Sequence, residues 1–461
     1  LAKFKKKYIG DWDFYQKYLL LAIPMILQNA ITNLVSFLDN IMVGQLGTEQ
    51  MSGVAIVNQL IFVYNLAIFG AVSAASIFGA QYFGKGNHKG HMYSFRFKLY
   101  ATLLVTGGAI LLFLTKGSAL ISLYLTDTVG NGATDLALQY GLEYLAIMMV
   151  GLIPFAVNQS YATNIKETGQ TFIPMLASFV AVGTNAILDY LMIFGIGPFP
   201  ELGVQGAALA TVIARYIEAL IVVIWAHIHR GKNRYLEGAY TGFGIPLAEL
   251  KAILIKGFPL MMNEVLWAAG MTTVTQCYSV RGLDVVAGLN IASTITNLFN
   301  IVYLQLGSCI SIVVGQYLGA GKLEDAKDAD NKMIVFSVFC CVIMAALMFV
   351  VGGFFPGIYN TTEEIRELAT SFIAVSAIIM PFCAFSHASY FTLRSGGKTV
   401  VTFLFDSVFT WVIVVPAAYL LAHFTGLGIV SIYFLVQGTE LIKVIIGYLM
   451  VKSNVWVVQM V

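Results

Sequence analysis

Charge is scarce in this sequence. Asp, Glu, Lys and Arg make up 11% of its 461 residues and hydrophobic residues 58%, against about 25% charged and 45–50% apolar in soluble proteins. That ratio excludes a water-soluble fold. Cysteine is sparse too: Cys277, Cys309, Cys340, Cys341 and Cys383 all lie in apolar runs without metal-ligand spacing, which argues for small buried hydrophobes and against a disulfide or metal framework. Catalytic motifs are missing. There is no HExxH, and Gly397-Lys398-Thr399 has Thr392 where a phosphate-binding loop needs its first glycine, so an enzyme or an ATP-driven machine within this chain is not expected and no cofactor is implied. A net charge of +2 says nothing about nucleic acid, and no nucleic-acid partner is expected. The basic start, LAKFKKKYIGDWDFYQK, has no obvious cleavage site and runs into an apolar stretch too long for a signal-peptide core, so it reads as a cytoplasmic tail.

What is present is a succession of apolar runs, each long enough to cross a bilayer, for which about 20 residues suffice. Their periodicity and the polar breaks predict twelve helices, at 17–43, 52–79, 99–124, 137–163, 172–196, 204–228, 257–280, 286–314, 333–356, 367–392, 400–424 and 429–451. Orientation follows from Lys and Arg in the breaks. With the N-terminus inside, 21 of the 26 basic residues fall on the inner side, Lys116, Arg281 and Arg366 on the outer side, and Arg215 and Lys443 within spans. Both termini are therefore expected in the cytoplasm of a multi-pass plasma-membrane protein.

The chain also repeats itself. Pro24, Gly47, Gly53, Gln81, Gly84 and Gly86 recur as Pro259, Gly282, Gly288, Gln316, Gly319 and Gly321, each pair 235 residues apart. Further on, IPF at 153–155 and MPF at 380–382 differ by 227, and Gly169-Gln170-Thr171 and Gly397-Lys398-Thr399 by 228. The expected fold is all-α, two pseudo-symmetric six-helix lobes over 1–240 and 241–461 joined by the polar break near 227–256. Six spans is an even number, so the repeats run parallel about an axis along the membrane normal, an architecture suited to alternating access. A channel or a sensory protein could share it, because fold alone does not fix function.

Ionisable groups inside spans are costly and mark ion or substrate sites more often than residues elsewhere. Asp39, Asp189, Arg215, Glu218, Glu264, Asp406, Glu440 and Lys443 lie within spans, with Glu143 nearer a boundary. Asp39 and Asp189 share a depth toward the outer side, Asn185 is one helical turn before Asp189, and Thr211 reaches the same level from the sixth span. Two carboxylates, an amide and a hydroxyl can hold a proton or cradle a sodium ion; the alternative for Asn185 and Asp189 is local structural bonding. Glu264, Asp406 and His387 form a second acidic set deeper in the other lobe, either recognising cations or polarising their surroundings. His387 alone reads as a satisfied polar residue or a relay. Arg215 with Glu218 and Glu440 with Lys443 are opposite charges at i,i+3, expected to neutralise each other within their helices or to bridge the bundle. Aligning Gly203 with Gly428 superposes these pairs with their signs exchanged. Pro24 and Pro259 permit bending of the first and seventh spans.

At this point the sequence resembles the multidrug and toxic compound extrusion (MATE) transporters. IPMILQNAITNLVSFLDNIMVGQLG, GAQYFGKGN, NAILDYLMIFG, LGVQGAALAT, GFPLMMNEVLW and GQYLGAGK carry the resemblance over nearly the whole chain. It implies a V-shaped twelve-helix fold and export of organic, often cationic, or other toxic compounds, driven by inward proton or sodium flow; the chain is expected to act as a monomer and without ATP. The family's first-lobe ion site is matched by Asp39, Asn185, Asp189 and Thr211, with Asn158 as a further member. In the sodium-coupled (NorM-like) branch a helix-7 acid is matched by Glu264, but its companion aspartate on helix 10 has no counterpart in 380–399. The pattern is thus closer to the proton-coupled (DinF-like) branch, with sodium at Asp39, Asn185, Asp189 and Thr211 kept as the alternative. Within transport, the competing function is a lipid-linked oligosaccharide flippase of the same superfamily. That reading favours a basic cleft, whereas the residues within spans here number six acids and two bases.

Overall fold

A computed structural model describes residues 8–125, 131–242 and 244–461; the basic start up to Lys7 lies outside the described residues. Helix is the regular structure found throughout, and no strand occurs among the described residues. Helices follow from the composition, since a backbone in hydrocarbon must satisfy its own N–H and C=O groups. In chain order they are α1 (Trp12–Gly44), α2 (Thr48–Lys85), α3 (His88–Ser122), α4 (Asn131–Val150), α5 (Leu152–Glu167), α6 (Phe172–Ile193), α7 (Val204–Ile228), α8 (Leu247–Ser279), α9 (Leu283–Gly319), α10 (Leu323–Gly352) and α11 (Glu363–Ser395). The next span is composite: α12 (Thr399–Phe403), two π-helical turns at Leu404–Val408 and Thr410–Val414, then α13 (Val415–Phe424). α14 (Ile429–Gly438) and α15 (Glu440–Lys452) complete the series.

Among the described residues ten helices are long and apolar enough to cross a membrane. Thr134–Val150 with Leu152–Glu167, bent by 44°, makes an eleventh, and the 33-residue α1 supplies the remaining helix of the twelve expected. Pro24, Pro259 and Pro381 sit inside α1, α8 and α11 without ending them. The repeat is written into the backbone as well. Gly47 and Gly282 have φ of 145° and 125°, Gly86 and Gly321 72° and 73°, and Gly169 and Gly397 83° and 70°. Matching positions of the two halves thus end or begin helices with the same left-handed glycine, a conformation strained for any residue with a Cβ.

Among the described residues, Ile23–Gly79 and His88–Leu250 form one compact unit, and the segment from Tyr8 to Ala22, Ala80–Asn87 and Lys251–Val461 form another. The first unit packs around Val57, Ile61, Tyr64, Ile68, Met148 and Val212. At one end of it Lys98, Glu167, His91 and Asn164 are buried together, Lys98 bonding to both Glu167 and Asn164. Beside them Arg96 donates to the carbonyls of Ala239 at 2.9 Å, Gly244 at 2.7 Å and Gly238 at 2.6 Å. The polar connection after α7 is therefore fastened by one guanidinium, whose fixed fork of donors suits several carbonyls at once.

The second unit packs around Tyr278, Phe299, Met348, Phe372 and Met380. It also holds the Ala80–Asn87 segment through a reciprocal close approach. A Cβ on Gly84 would lie 2.0 Å from the Gln316 carbonyl oxygen, and one on Gly319 1.9 Å from that of Gln81. Gln81 is fully buried: its Nε2 donates to Ser395 O and Val458 O, and its Oε1 accepts from the Met460 amide. Gln459 Nε2 in turn donates to Gly319 O at 3.0 Å.

Candidate functional site

In the first unit α1 and α6 bring Asp39 and Asp189 together. Their carboxyls lie within hydrogen-bonding reach of each other, and Asn185 Nδ2 donates to Asp189 Oδ2 at 2.9 Å across one helical turn. Asp189 is 1% exposed, and Asp39 Oδ1 and Asp189 Oδ1 are buried without a hydrogen-bond partner. Asp39 is half-buried, and two neighbouring carboxyls largely shielded from water favour a proton or a cation between them, because like charges repel. Chemically, the pair can hold a proton or a monovalent cation.

Around it stand Tyr144, whose hydroxyl bonds to Asn58 Oδ1 at 3.3 Å, and Arg215; Tyr144 feels the field of Asp39, Asp189 and Arg215 alike. Neither Tyr144 nor Asn58 stands out in the sequence, since each is one polar group in an apolar run. Thr211 uses its hydroxyl proton on Ala207 O within α7, leaving its oxygen lone pairs as ligands. Asn158 is 3% exposed on α5, seven residues past the bend at Gly151, with its Oδ1 buried and unpartnered. No direct bond joins Thr211 or Asn158 to the aspartates among the described residues.

The in-helix ion pairs do not form. Arg215 Nη1 reaches Gly151 O at 3.4 Å and its guanidinium lies 5.1 Å from the Phe155 ring centroid, while Glu218 accepts a hydrogen bond from Ser178, which itself accepts from Gln28 Nε2 at 2.8 Å. Lys443 bonds to Asp406 Oδ1 at 2.8 Å and not to Glu440. In each case a residue on a neighbouring helix wins, since i,i+3 spacing puts charges on one face without aiming them at each other.

In the second unit Asn263 on α8 is the hub. Its Nδ2 donates to Asp406 Oδ2 at 3.1 Å, and its Oδ1 and carbonyl oxygen both accept from Ser407 Oγ at 2.8 Å. Glu264, the next residue, is half-buried and sits in the field of Arg394 and Asp406. His387 bonds through Nδ1 to Cys383 O and packs against Tyr303, ring centroids 4.7 Å apart. So Glu264 and Asp406 do share a neighbourhood, but Asp406 is already matched by Lys443.

The two units carry the same polar chain. Gln28, Ser178 and Glu218 correspond to Asn263, Asp406 and Lys443 at the repeat offsets of 235, 228 and 225 residues. In both, a side-chain amide donates to the central group and the central group bonds to the terminal one. The terminal charge is negative in one unit and positive in the other.

With this geometry in view, the comparisons are consistent among themselves. The MatE family model matches residues 24–191 and 259–420. Two bacterial relatives, each called probable multidrug resistance protein NorM, align along most of the chain. That of Thermotoga maritima is 23% identical over 421 residues, 91% of this chain and 88% of its own; that of Halalkalibacterium halodurans is 24% identical over 413 residues, 89% and 88%. Among solved structures, a MOP superfamily transporter from Pyrococcus furiosus, reported with a binding pocket of reverse polarity, superposes with a TM-score of 0.85 at 20% identity over 96% of both chains. An outward-facing multidrug resistance MATE family transporter gives the same TM-score, identity and coverage. At that identity the likeness establishes the fold.

Proposed function

This chain belongs to the MatE family, whose members are transporters and not enzymes, and from that premise we propose that it exports amphiphilic, often cationic, organic compounds in exchange for inward-moving protons. The observation that carries the reading is the contact of Asp39 with Asp189, two buried oxygens of which accept no hydrogen bond. Such a pair binds a proton from one side of the membrane and loses it to the other if its access changes, which is what coupling requires. The halves 1–240 and 241–461 are the elements that exchange access, and Pro24 on α1 is the place where the helix bearing Asp39 can bend.

Protons are preferred to sodium because of what surrounds the acids. Asp406 in the second unit is neutralised by Lys443, and 380–399 offers no further carboxylate, so a sodium site of several acids is not assembled there. Multidrug substrates come by analogy with the NorM-named relatives. The plasma membrane, with both termini cytoplasmic, is the location this function needs and the one the excess of inner Lys and Arg supports.

The test is efflux of a fluorescent organic cation from liposomes holding the purified protein, under an imposed proton or sodium gradient, with Asp39→Asn as the control. Dye movement driven by protons alone and lost in the variant is the expected result. If neither gradient moves the dye and the variant matches the wild type, the exporter reading fails for that substrate class.

A further inference from the structure

Lys443 sits where a ligand would. Its ammonium, 8% exposed at the side chain, lies 2.8 Å from Asp406 Oδ1 and 5.5 and 5.7 Å from the ring centroids of Phe405 and Phe409. Asn263 Nδ2 holds the other carboxylate oxygen at 3.1 Å, orienting Asp406 toward the lysine. A carboxylate flanked by two aromatic faces is the arrangement by which proteins bind organic ammonium ions. Glu440, one turn earlier on α15, and His387 on α11 are the other ionisable groups whose field Lys443 feels, and Cys383 lies beside them.

The repeat gives independent support. In the first unit the equivalent chain, Gln28, Ser178 and Glu218, ends in a carboxylate that makes no ion pair among the described residues. The charge at position 443 is therefore not demanded by the packing of this helix position, which accepts the opposite sign in the other copy. It is specific to the acid that the second copy carries at 406.

We propose that Asp406, Asn263, Phe405 and Phe409 form a monovalent ammonium site filled by the protein's own Lys443, and that Lys443 thereby keeps the second unit from taking a cation from solution. The inference rests on the antiport reading only for its consequence, that coupling falls to Asp39 and Asp189. The site itself can be examined without any flux.

Lys443→Ala removes the tethered ammonium and leaves room for a free one of the same shape. In purified protein, propylammonium chloride is expected to raise the thermal midpoint of Lys443→Ala saturably, by roughly 2–4 °C beyond the effect of equal sodium chloride or of n-propanol. The wild type, whose site is full, and Asp406→Asn/Lys443→Ala, which lacks the carboxylate, are expected to show no such rise. Equal responses to propylammonium and n-propanol, or an undiminished response in the double variant, would overturn the proposal. If Lys443→Ala does not fold, Lys443→Met keeps the volume. Its midpoint should fall below the wild type and recover when Asp406→Asn is added, because an uncompensated buried carboxylate costs more than a matched neutral pair. A Lys443→Met protein as stable as the wild type would show the lysine to be packing alone. Failure of dye efflux would leave these binding outcomes untouched, so the two readings can fall separately.

Discussion

Asp39 and Asp189 illustrate what single residues disclose and what they hide. Charge inside an apolar run is rare enough to be noticed, and the i,i+4 spacing of Asn185 and Asp189 places both on one helical face; the 2.9 Å bond between them follows directly. Whom Lys443 would face could not be read in the same way. Its nearest acid in sequence is Glu440, but its partner Asp406 is 37 residues away, and only the packing of two helices selects it. Asn263 and Gln28, neutral and inconspicuous, escaped notice for the same reason. At this scale Asp189→Asn, like Asp39→Asn, is expected to abolish gradient-driven dye efflux. Asn185→Ala should slow it roughly tenfold, the worth of one hydrogen bond to a charged group. Initial rates in liposomes with matched protein content would check both, and an Asn185→Ala rate equal to the wild type would remove the amide from the site.

Among the elements, helices and their number were legible because hydrocarbon leaves the backbone no other choice, while their ends and irregularities were not. The eleventh span was expected as one regular helix over 400–424, yet it contains two π turns. A π turn inserts an extra residue into the helical repeat, and in this span Asp406 and Ser407 both meet Asn263, and Trp411 Nε1 reaches Leu266 O at 2.8 Å. Gly270, on the same face of α8, has no room for a side chain: a Cβ would stand 2.7 Å from Thr410 Cγ2. The connection after α7 was read as a polar joint, and Arg96, which orders it, is indistinguishable in sequence from any other basic residue near a span end. Arg96→Met should free that connection, so limited trypsin treatment is expected to cut at Arg230, Lys232 and Arg234 several times faster than in the wild type. Gly319→Ala should destabilise the second unit by about 1–3 kcal/mol, the usual range for overpacking a close contact, seen as a lowered thermal midpoint in detergent.

For the whole molecule, the repeat is visible in the sequence as a spacing of 235 residues, and matching glycines such as Gly86 and Gly321 share their backbone form, with φ of 72° and 73°. What the spacing did not convey is that Ala80–Asn87, from the first half, is built into the unit of the second. Residues 241–461 expressed alone would leave the carbonyls of Ser395 and Val458 and the Met460 amide without Gln81. Little folded protein is expected from that fragment, and co-expression with 1–240 should restore it, read as a monodisperse peak in size-exclusion chromatography; a fragment equally well behaved alone would show the segment to be dispensable. The contact itself is symmetric in sequence as well as in space. Gly84 meets Gln316 and Gly319 meets Gln81, and since 84 corresponds to 319 and 81 to 316, each copy offers the other the same pair of residues. That reciprocity is the signature of an isologous interface, the kind found in two-fold homodimers. Within one chain the two copies thus repeat, in a pair of crossing glycines, the contact that two identical subunits would make across a two-fold axis.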